Sequence, residues 1–196
     1  FFYMLKIPKL VGKPTVNPIK PDELIDQSVF PFLDNLVDIV FPDELMEDFR
    51  RKKGVILMSA HLGNWELLPF ITRKFKQEEL LIVYKPQRIP SFNNLFYQIR
   101  TLARTQFVQT SGSYQALQSC LQRGGSIGMM ADQAPKSPHE WTPFLGGKIG
   151  CHRGMKALHE ATGSPVWFCA VLFSEGKHKP FCFYAERIAA YQDNTT

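Results

Sequence analysis

The chain has 196 residues, 44% of them hydrophobic and 21% charged, and a formal net charge of +5. This size allows one sizeable α/β core, and the sequence has no apolar run of about eighteen residues that would cross a bilayer. The positive charge favours anionic partners, among which phosphate groups, lipid headgroups, acidic carrier proteins and nucleic acid all remain open.

The first part of the chain, residues 1–53, is predicted to be an arm followed by amphipathic helices. In the arm, lysines alternate with aromatic and aliphatic residues, and four prolines prevent a long helix. This arm either lies on an anionic membrane surface or forms a loosely packed terminal segment. Apolar residues then recur at helical spacing, and we expect them to face the core and not a membrane: Leu33, Leu36, Val37 and Val40.

Strands and helices alternate over residues 54–196, which we predict to be the catalytic domain. Apolar runs predict strands at 55–60, 80–85, 126–131, 165–173 and 181–186, with helices or loops between them. This alternation is typical of an α/β fold with a mostly parallel central sheet, flanking helices and an antiparallel edge. The two parts of the chain are expected to form one globular unit.

Two segments between these strands carry residues suited to binding. A helix opened by Ser91 is predicted to bury an apolar face, while Arg100 and Arg104, four residues apart, share another face and predict an anion site. The buried face would consist of Phe92, Leu95, Phe96, Ile99 and Leu102. A long loop over 133–150 carries Trp141 and Phe144, which suit a hydrophobic chain, although such loops also pack down as structural flaps.

Four cysteines are scattered through the second part of the chain without a C-x-x-C spacing, so neither a zinc site nor a disulfide framework is indicated. They are Cys120, Cys151, Cys169 and Cys182. Cys151 and His152 with His159 provide too few ligands for a metal site. The sequence also has no G-x-S-x-G elbow, Walker A loop or G-x-G-x-x-G motif. We therefore predict neither a metal nor a cofactor.

The strongest candidate for chemistry is the pair His61 and Glu66, which follows the predicted strand at 55–60. Gly63 and Asn64 supply turn and N-cap chemistry before a helix, so His61 is predicted to lie where a strand meets a helix. In open α/β sheets, ligands bind beyond the carboxyl ends of the strands. A neutral imidazole there can take a proton from a hydroxyl group, and a carboxylate on its other nitrogen would orient it. A surface or structural histidine is the alternative.

The string His61-Leu-Gly-Asn-Trp-Glu66 resembles the H-x4-E motif of the lauroyl and myristoyl acyltransferases of bacterial lipid A biosynthesis. Further matches follow in the family's order over about residues 54 to 183. They are Tyr84-Lys-Pro86, Arg100, Ala131-Asp-Gln133, Pro143-Phe144 with Gly146, Gly154 and Thr162-Gly-Ser-Pro165. Family members usually carry an N-terminal membrane anchor and a Trp- and Arg-rich end, so the chain is expected to be part of a longer protein.

The resemblance implies transfer of a fatty acyl group from an acyl carrier protein thioester to a hydroxyl of a phosphorylated glycolipid acceptor. His61 would be the general base and Glu66 would hold its imidazole. Arg100 would bind a lipid phosphate, with a salt bridge to Asp132 as its structural alternative. Asp132 would orient Arg100 or a sugar hydroxyl.

The remaining binding residues implied are Lys85, Arg104, Asn64, Trp141 and Phe144. The resemblance also implies a membrane surface as partner and places the parent protein on the cytoplasmic face of the bacterial inner membrane. No nucleic-acid partner is expected, because the sequence matches no known nucleic-acid-binding module. Two alternatives remain: an acyltransferase for another glycolipid or glycerolipid acceptor, and a non-catalytic lipid-binding domain of the same fold.

Overall fold

A computed structural model describes residues 29–75, 79–101, 103, 105–135, 140–175 and 178–190 of the chain. The arm over residues 1–28, where we predicted a basic and apolar segment, lies outside the described residues. Within those ranges, no helix is both long and apolar enough to cross a bilayer.

The described part of the chain builds a seven-stranded sheet with strand order β1-β9-β8-β2-β5-β3-β4. Its strands are β1 (Val37–Asp38), β2 (Val55–Ser59), β3 (Leu80–Tyr84), β4 (Gln106–Gln109), β5 (Ser126–Met130), β8 (Val166–Phe173) and β9 (Phe181–Ala189). All neighbouring pairs are parallel except β8 and β9, which are antiparallel. The predicted α/β class, with a mostly parallel sheet and an antiparallel edge, is confirmed. A separate antiparallel hairpin is formed by β6 (Glu140–Phe144) and β7 (Gly147–Cys151).

The helices cover both faces of this sheet because successive residues of a strand point to opposite sides. They are α1 (Val29–Leu36), α2 (Asp43–Arg50), α3 (Leu68–Thr72), α4 (Pro90–Thr101), α5 (Tyr114–Gln122) and α6 (Gly154–Thr162). Val55 and Leu57 pack with α1, α2 and α3 on one face, whereas Ile56 packs with α5 and α6 on the other. The first two helices thus share a core with β2 and β8.

The structure corrects two predicted apolar faces and one predicted loop. The helix of residues 29–36 ends before Val37, which enters the sheet, and Val40 is 73% exposed; Leu33 and Val37 are buried as expected. Phe92 and Leu95, predicted to be buried, lie on the exposed side of α4. The long loop predicted over 133–150 contains the β6–β7 hairpin. Strands β1 and β4 were also not predicted, because runs of two and four residues are too short to show periodicity.

A buried polar contact ties α2 to the centre of the sheet. Trp167 on β8 donates its Nε1–H to Oδ2 of Asp48 at 2.9 Å, and both residues are buried. The guanidinium of Arg187 lies 3.6 Å from the same carboxylate oxygen and stacks over the Trp167 ring. Asp48 therefore accepts the hydrogen bond of the buried Trp167 N–H, which would otherwise face only apolar atoms of α2.

Replacing Asp48 by leucine should lower the free energy of unfolding by about 1–3 kcal/mol, because a buried indole N–H loses its acceptor. Urea denaturation measures this difference. Asp48→Asn is the matched control, since its amide oxygen still accepts the bond and its loss should be smaller. Equal losses in the two variants would contradict this account.

Candidate active site

The candidate site lies at the carboxyl edge of the sheet, where the central strands β2 and β5 end side by side. In their parallel register Ser59 pairs with Met130, and each strand continues for two residues to a polar side chain. These side chains are His61 after β2 and Asp132 after β5. The backbone N–H of Ala131 also donates to the carbonyl oxygen of Ser59 at 2.9 Å, so the two extensions stay paired.

Asp132 holds His61 through two hydrogen bonds. Its Oδ2 accepts the backbone N–H of His61 at 2.9 Å, and its Oδ1 lies 2.9 Å from Nδ1 of the imidazole ring. Opposite an ionised carboxylate, Nδ1 carries the proton and donates it, so Nε2 keeps its lone pair. About one third of each side chain is exposed, 35% for His61 and 36% for Asp132. The ring is therefore oriented by protein while its other nitrogen is available to a substrate.

The environment keeps Asp132 ionised. Partial desolvation acts to raise the pKa of this carboxyl, but the hydrogen bonds from the backbone and the ring of His61 outweigh it, and the pKa lies below its ordinary value. Because the folded-state pKa is depressed, the interaction stabilises the fold above the ordinary carboxyl pKa and is lost as the pH falls below it. The carboxylate is thus the charged partner of the imidazole throughout the neutral range.

Glu66, predicted to hold the imidazole, lies in the single 3-10 turn Trp65–Leu67 and is half-buried. The carboxylate at Nδ1 of His61 is that of Asp132, so the structure gives the orienting position to a residue 71 positions away. Trp65 instead contacts the imidazole, with its ring edge-on at a centroid distance of 5.0 Å. Asn64 stands before this turn, although its side chain makes no capping hydrogen bond.

Gly63 shapes the loop that carries His61. It has a positive φ of 62° and forms a parallel bridge with Val171 on β8, and the next residue, Asn64, donates its N–H to the carbonyl oxygen of Val171 at 2.8 Å. A Cβ at position 63 would lie 2.0 Å from that oxygen. Only glycine fits this backbone conformation and this contact.

Gly63→Ala should destabilise the fold by about 2–4 kcal/mol and displace His61, because both the left-handed backbone and the steric overlap penalise it. Thermal unfolding and activity measure the two effects. Gly112→Ala isolates the first cause, since Gly112 also has a positive φ, of 73°, but no atom lies within 4 Å of the added Cβ. Comparable losses in both variants would show that the contact with Val171 is unimportant.

The other predicted binding residues lie around the same edge or outside the described side chains. Lys85 is exposed directly after β3, where Tyr84, Asn93 and Phe96 also line a small surface pocket. Arg100 lies near the end of α4, but its side chain is not among those that the structure describes. Arg104 lies outside the described residues. Trp141 and Phe144 are exposed on the β6–β7 hairpin. Phe70, on α3, packs against the core.

One signal in the sequence points to the His61–Asp132 pair. Each residue stands two positions after an apolar strand, and two such strands can be neighbours in a parallel sheet.

The cysteines are free thiols, with Cys120 and Cys169 buried. Burial raises the pKa of each of these two thiols to about 12. Among the described residues, no group of three His, Cys, Asp or Glu side chains is placed to hold a metal ion.

Comparison with known proteins identifies one family. No individually curated protein matches the chain. The sequence profile of the bacterial lipid A biosynthesis acyltransferases matches residues 33–195, which include the second half of α1, all of α2, and His61, Glu66 and Asp132. Since the match covers most of the chain, the protein belongs to the family of bacterial lipid A biosynthesis acyltransferases.

Proposed function

We propose that the protein transfers a fatty acyl group from an acyl carrier protein thioester to a hydroxyl of a lipid A precursor, with His61 as general base. The observation that carries this proposal is the pairing of His61 with Asp132, which leaves Nε2 as the proton acceptor. Family membership supports an acyltransferase of lipid A biosynthesis. That an acyl carrier protein is the donor, and that His61 is the general base, are further parts of the proposal.

The reaction needs no acyl-enzyme. Nε2 of His61 takes the proton of the acceptor hydroxyl as its oxygen attacks the thioester carbonyl carbon, and a tetrahedral oxyanion forms. Collapse of this intermediate breaks the C–S bond and leaves an ester. The imidazolium then returns the proton to the departing sulfur. Because a thioester is already activated, the protein mainly has to generate the nucleophile and hold two lipid chains together.

The two carboxylates have different roles in this mechanism. Asp132 is the positioning residue, since it fixes the tautomer and stabilises the imidazolium through the hydrogen bond at Nδ1. Glu66, in the 3-10 turn between His61 and α3, is assigned to favour the positive charge on the imidazole. Each carboxylate therefore lowers the barrier to proton transfer, but only Asp132 sets the direction of the ring.

Basic side chains would bind the phosphates of the acceptor, and apolar side chains would bind the acyl chains. Lys85, Arg100 and Arg104 are assigned to the phosphates, for which a planar guanidinium is well suited. Trp141 and Phe144 are assigned to acyl chains, and Asn64 to a polar group of the acceptor. The backbone N–H of Asn64 is already bonded to Val171, so we assign the oxyanion to another amide of this loop or to Arg100.

We assign the protein to the cytoplasmic face of the inner membrane, because the proposed reaction needs an acyl carrier protein and a membrane lipid to meet there. Two other functions are outcomes of the same test: acylation of a different glycolipid or glycerolipid, and lipid binding without catalysis. Family membership favours the lipid A acceptor over both.

The test incubates the protein with an acyl carrier protein thioester and a lipid A precursor, followed by mass spectrometry of the lipid. We expect the mass of one added acyl chain, and none when a glycerol phosphate lipid replaces the acceptor. Replacing the carrier protein by coenzyme A tests the donor. Binding of the precursor without any mass increase would support the non-catalytic alternative.

A further inference from the structure

The tip of the β6–β7 hairpin combines backbone strain with an exposed apolar side chain. Phe144 pairs with Gly147, so the turn has two residues, Leu145 and Gly146, and both have positive φ, 47° and 79°. Two-residue turns with positive φ at both positions normally take Asn-Gly or Asp-Gly. Leu145 is unfavourable there, and it is 91% exposed. Nothing within the described fold compensates for placing leucine at this position.

Residues 141–148 of the hairpin are all exposed, and a lysine lies close to its tip. Trp141 and Phe144 point to opposite faces of the hairpin and are both more than half exposed, so both faces are largely open to solvent. Lys148 is the cation nearest the turn and, among the described residues, it makes no ion pair. The carboxylate of the hairpin, Glu140, lies at its base, within 4 Å of Arg153 and Lys156.

The hairpin projects from the same edge of the sheet as the candidate site. It follows the carboxyl end of β5 and Asp132, and it precedes α6, which returns the chain to the amino end of β8. Other exposed apolar side chains follow the carboxyl ends of neighbouring strands, among them Leu62 after β2 and Ile89 after β3. Exposed Lys85 and Arg88 accompany them. One edge of the molecule thus carries apolar and basic groups together.

We propose that the hairpin tip, Phe144 and Leu145 with Lys148, inserts into the surface of an anionic lipid bilayer and holds the carboxyl edge of the sheet against it. The apolar tip enters the interface, and Lys148 meets the lipid phosphates. This proposal rests on the proposed function in one respect: the acceptor is a membrane lipid, which docking brings to His61.

The test measures cosedimentation of the full chain with vesicles of mixed phosphatidylglycerol and phosphatidylcholine. Leu145→Asn should weaken partitioning by about tenfold, because it removes an apolar group of leucine size from the interface. Asparagine is favoured at this turn position, so the thermal unfolding midpoint of the variant should be no lower than that of the wild type. Pure phosphatidylcholine vesicles and added salt should both weaken binding of the wild type.

Val40→Asn is the matched control. Val40 is also an exposed apolar residue, but it follows β1, whose carboxyl end points to the opposite edge because β9 runs antiparallel to β8. It should leave vesicle binding unchanged, and so should His61→Ala, which tests the proposed function separately. Unchanged binding by Leu145→Asn, an equal loss in Val40→Asn, or no sedimentation of the wild type would each overturn the proposal. A change confined to the KM for the carrier-protein donor would instead make the tip a protein-docking site.

Discussion

Replacing His61 by alanine is expected to abolish acyl transfer, with a loss of at least about 10³-fold in kcat, and to leave the fold intact. No other described residue stands opposite the Asp132 carboxylate to accept the hydroxyl proton, and the uncatalysed nucleophile is a neutral hydroxyl. About one third of the His61 side chain is exposed, so its removal leaves no large cavity. The measurement is the rate of acyl addition to the lipid A precursor by mass spectrometry.

His152→Ala is the matched control for this variant. His152 is an exposed histidine after β7, outside the proposed proton path, and its replacement should change neither activity nor stability greatly. Equal thermal unfolding midpoints for the wild type and His61→Ala would show that the fold survives. Full activity of His61→Ala would exclude the proposed mechanism.

Asp132→Asn is expected to lower kcat by about 10³ to 10⁴-fold while changing KM little, by analogy with the aspartate of serine protease triads. An amide can donate to Nδ1, which then loses its proton to the other nitrogen, so Nε2 becomes a donor and cannot act as base. The neutral side chain also no longer stabilises the imidazolium. Steady-state kinetics with varied acceptor concentration separates the two parameters.

The split between kcat and KM distinguishes this role from those inferred from the sequence. If Asp132 oriented a sugar hydroxyl or Arg100, its replacement would mainly raise the KM for the acceptor. Glu66→Gln is the comparison variant, and we expect a smaller loss of kcat, because Glu66 would act through charge without setting the tautomer. A larger loss in Glu66→Gln than in Asp132→Asn would return the orienting role to Glu66.

Stability against pH gives an independent measure of the same contact. The depressed pKa of Asp132 predicts that the wild type loses some stability as the pH falls below the ordinary carboxyl range, about 4. Asp132→Asn should lack this component. Because the carboxylate is more than one third exposed, the component is expected to be small.

The sequence by itself determined the fold class, most of the strands and the motif at 61–66. These features depend on local order: apolar runs of five to nine residues mark β2, β3, β5, β8 and β9, and the filled H-x4-E string is contiguous. Shorter strands were not predicted, because a run such as the two residues Val37–Asp38 is too short to show an alternating pattern. Local pattern also predicted a buried face on α4, where packing leaves Phe92 and Leu95 exposed.

Only the tertiary structure decided which carboxylate holds the imidazole. Glu66 is near His61 in the sequence, but Asp132 reaches it because β2 and β5 are parallel neighbours in the register Ser59↔Met130. The exposure of Leu145 likewise depends on the hairpin projecting from the body. Strand adjacency and register arise from packing the whole sheet between its two helical layers, so residues 71 positions apart meet for reasons that no local pattern contains.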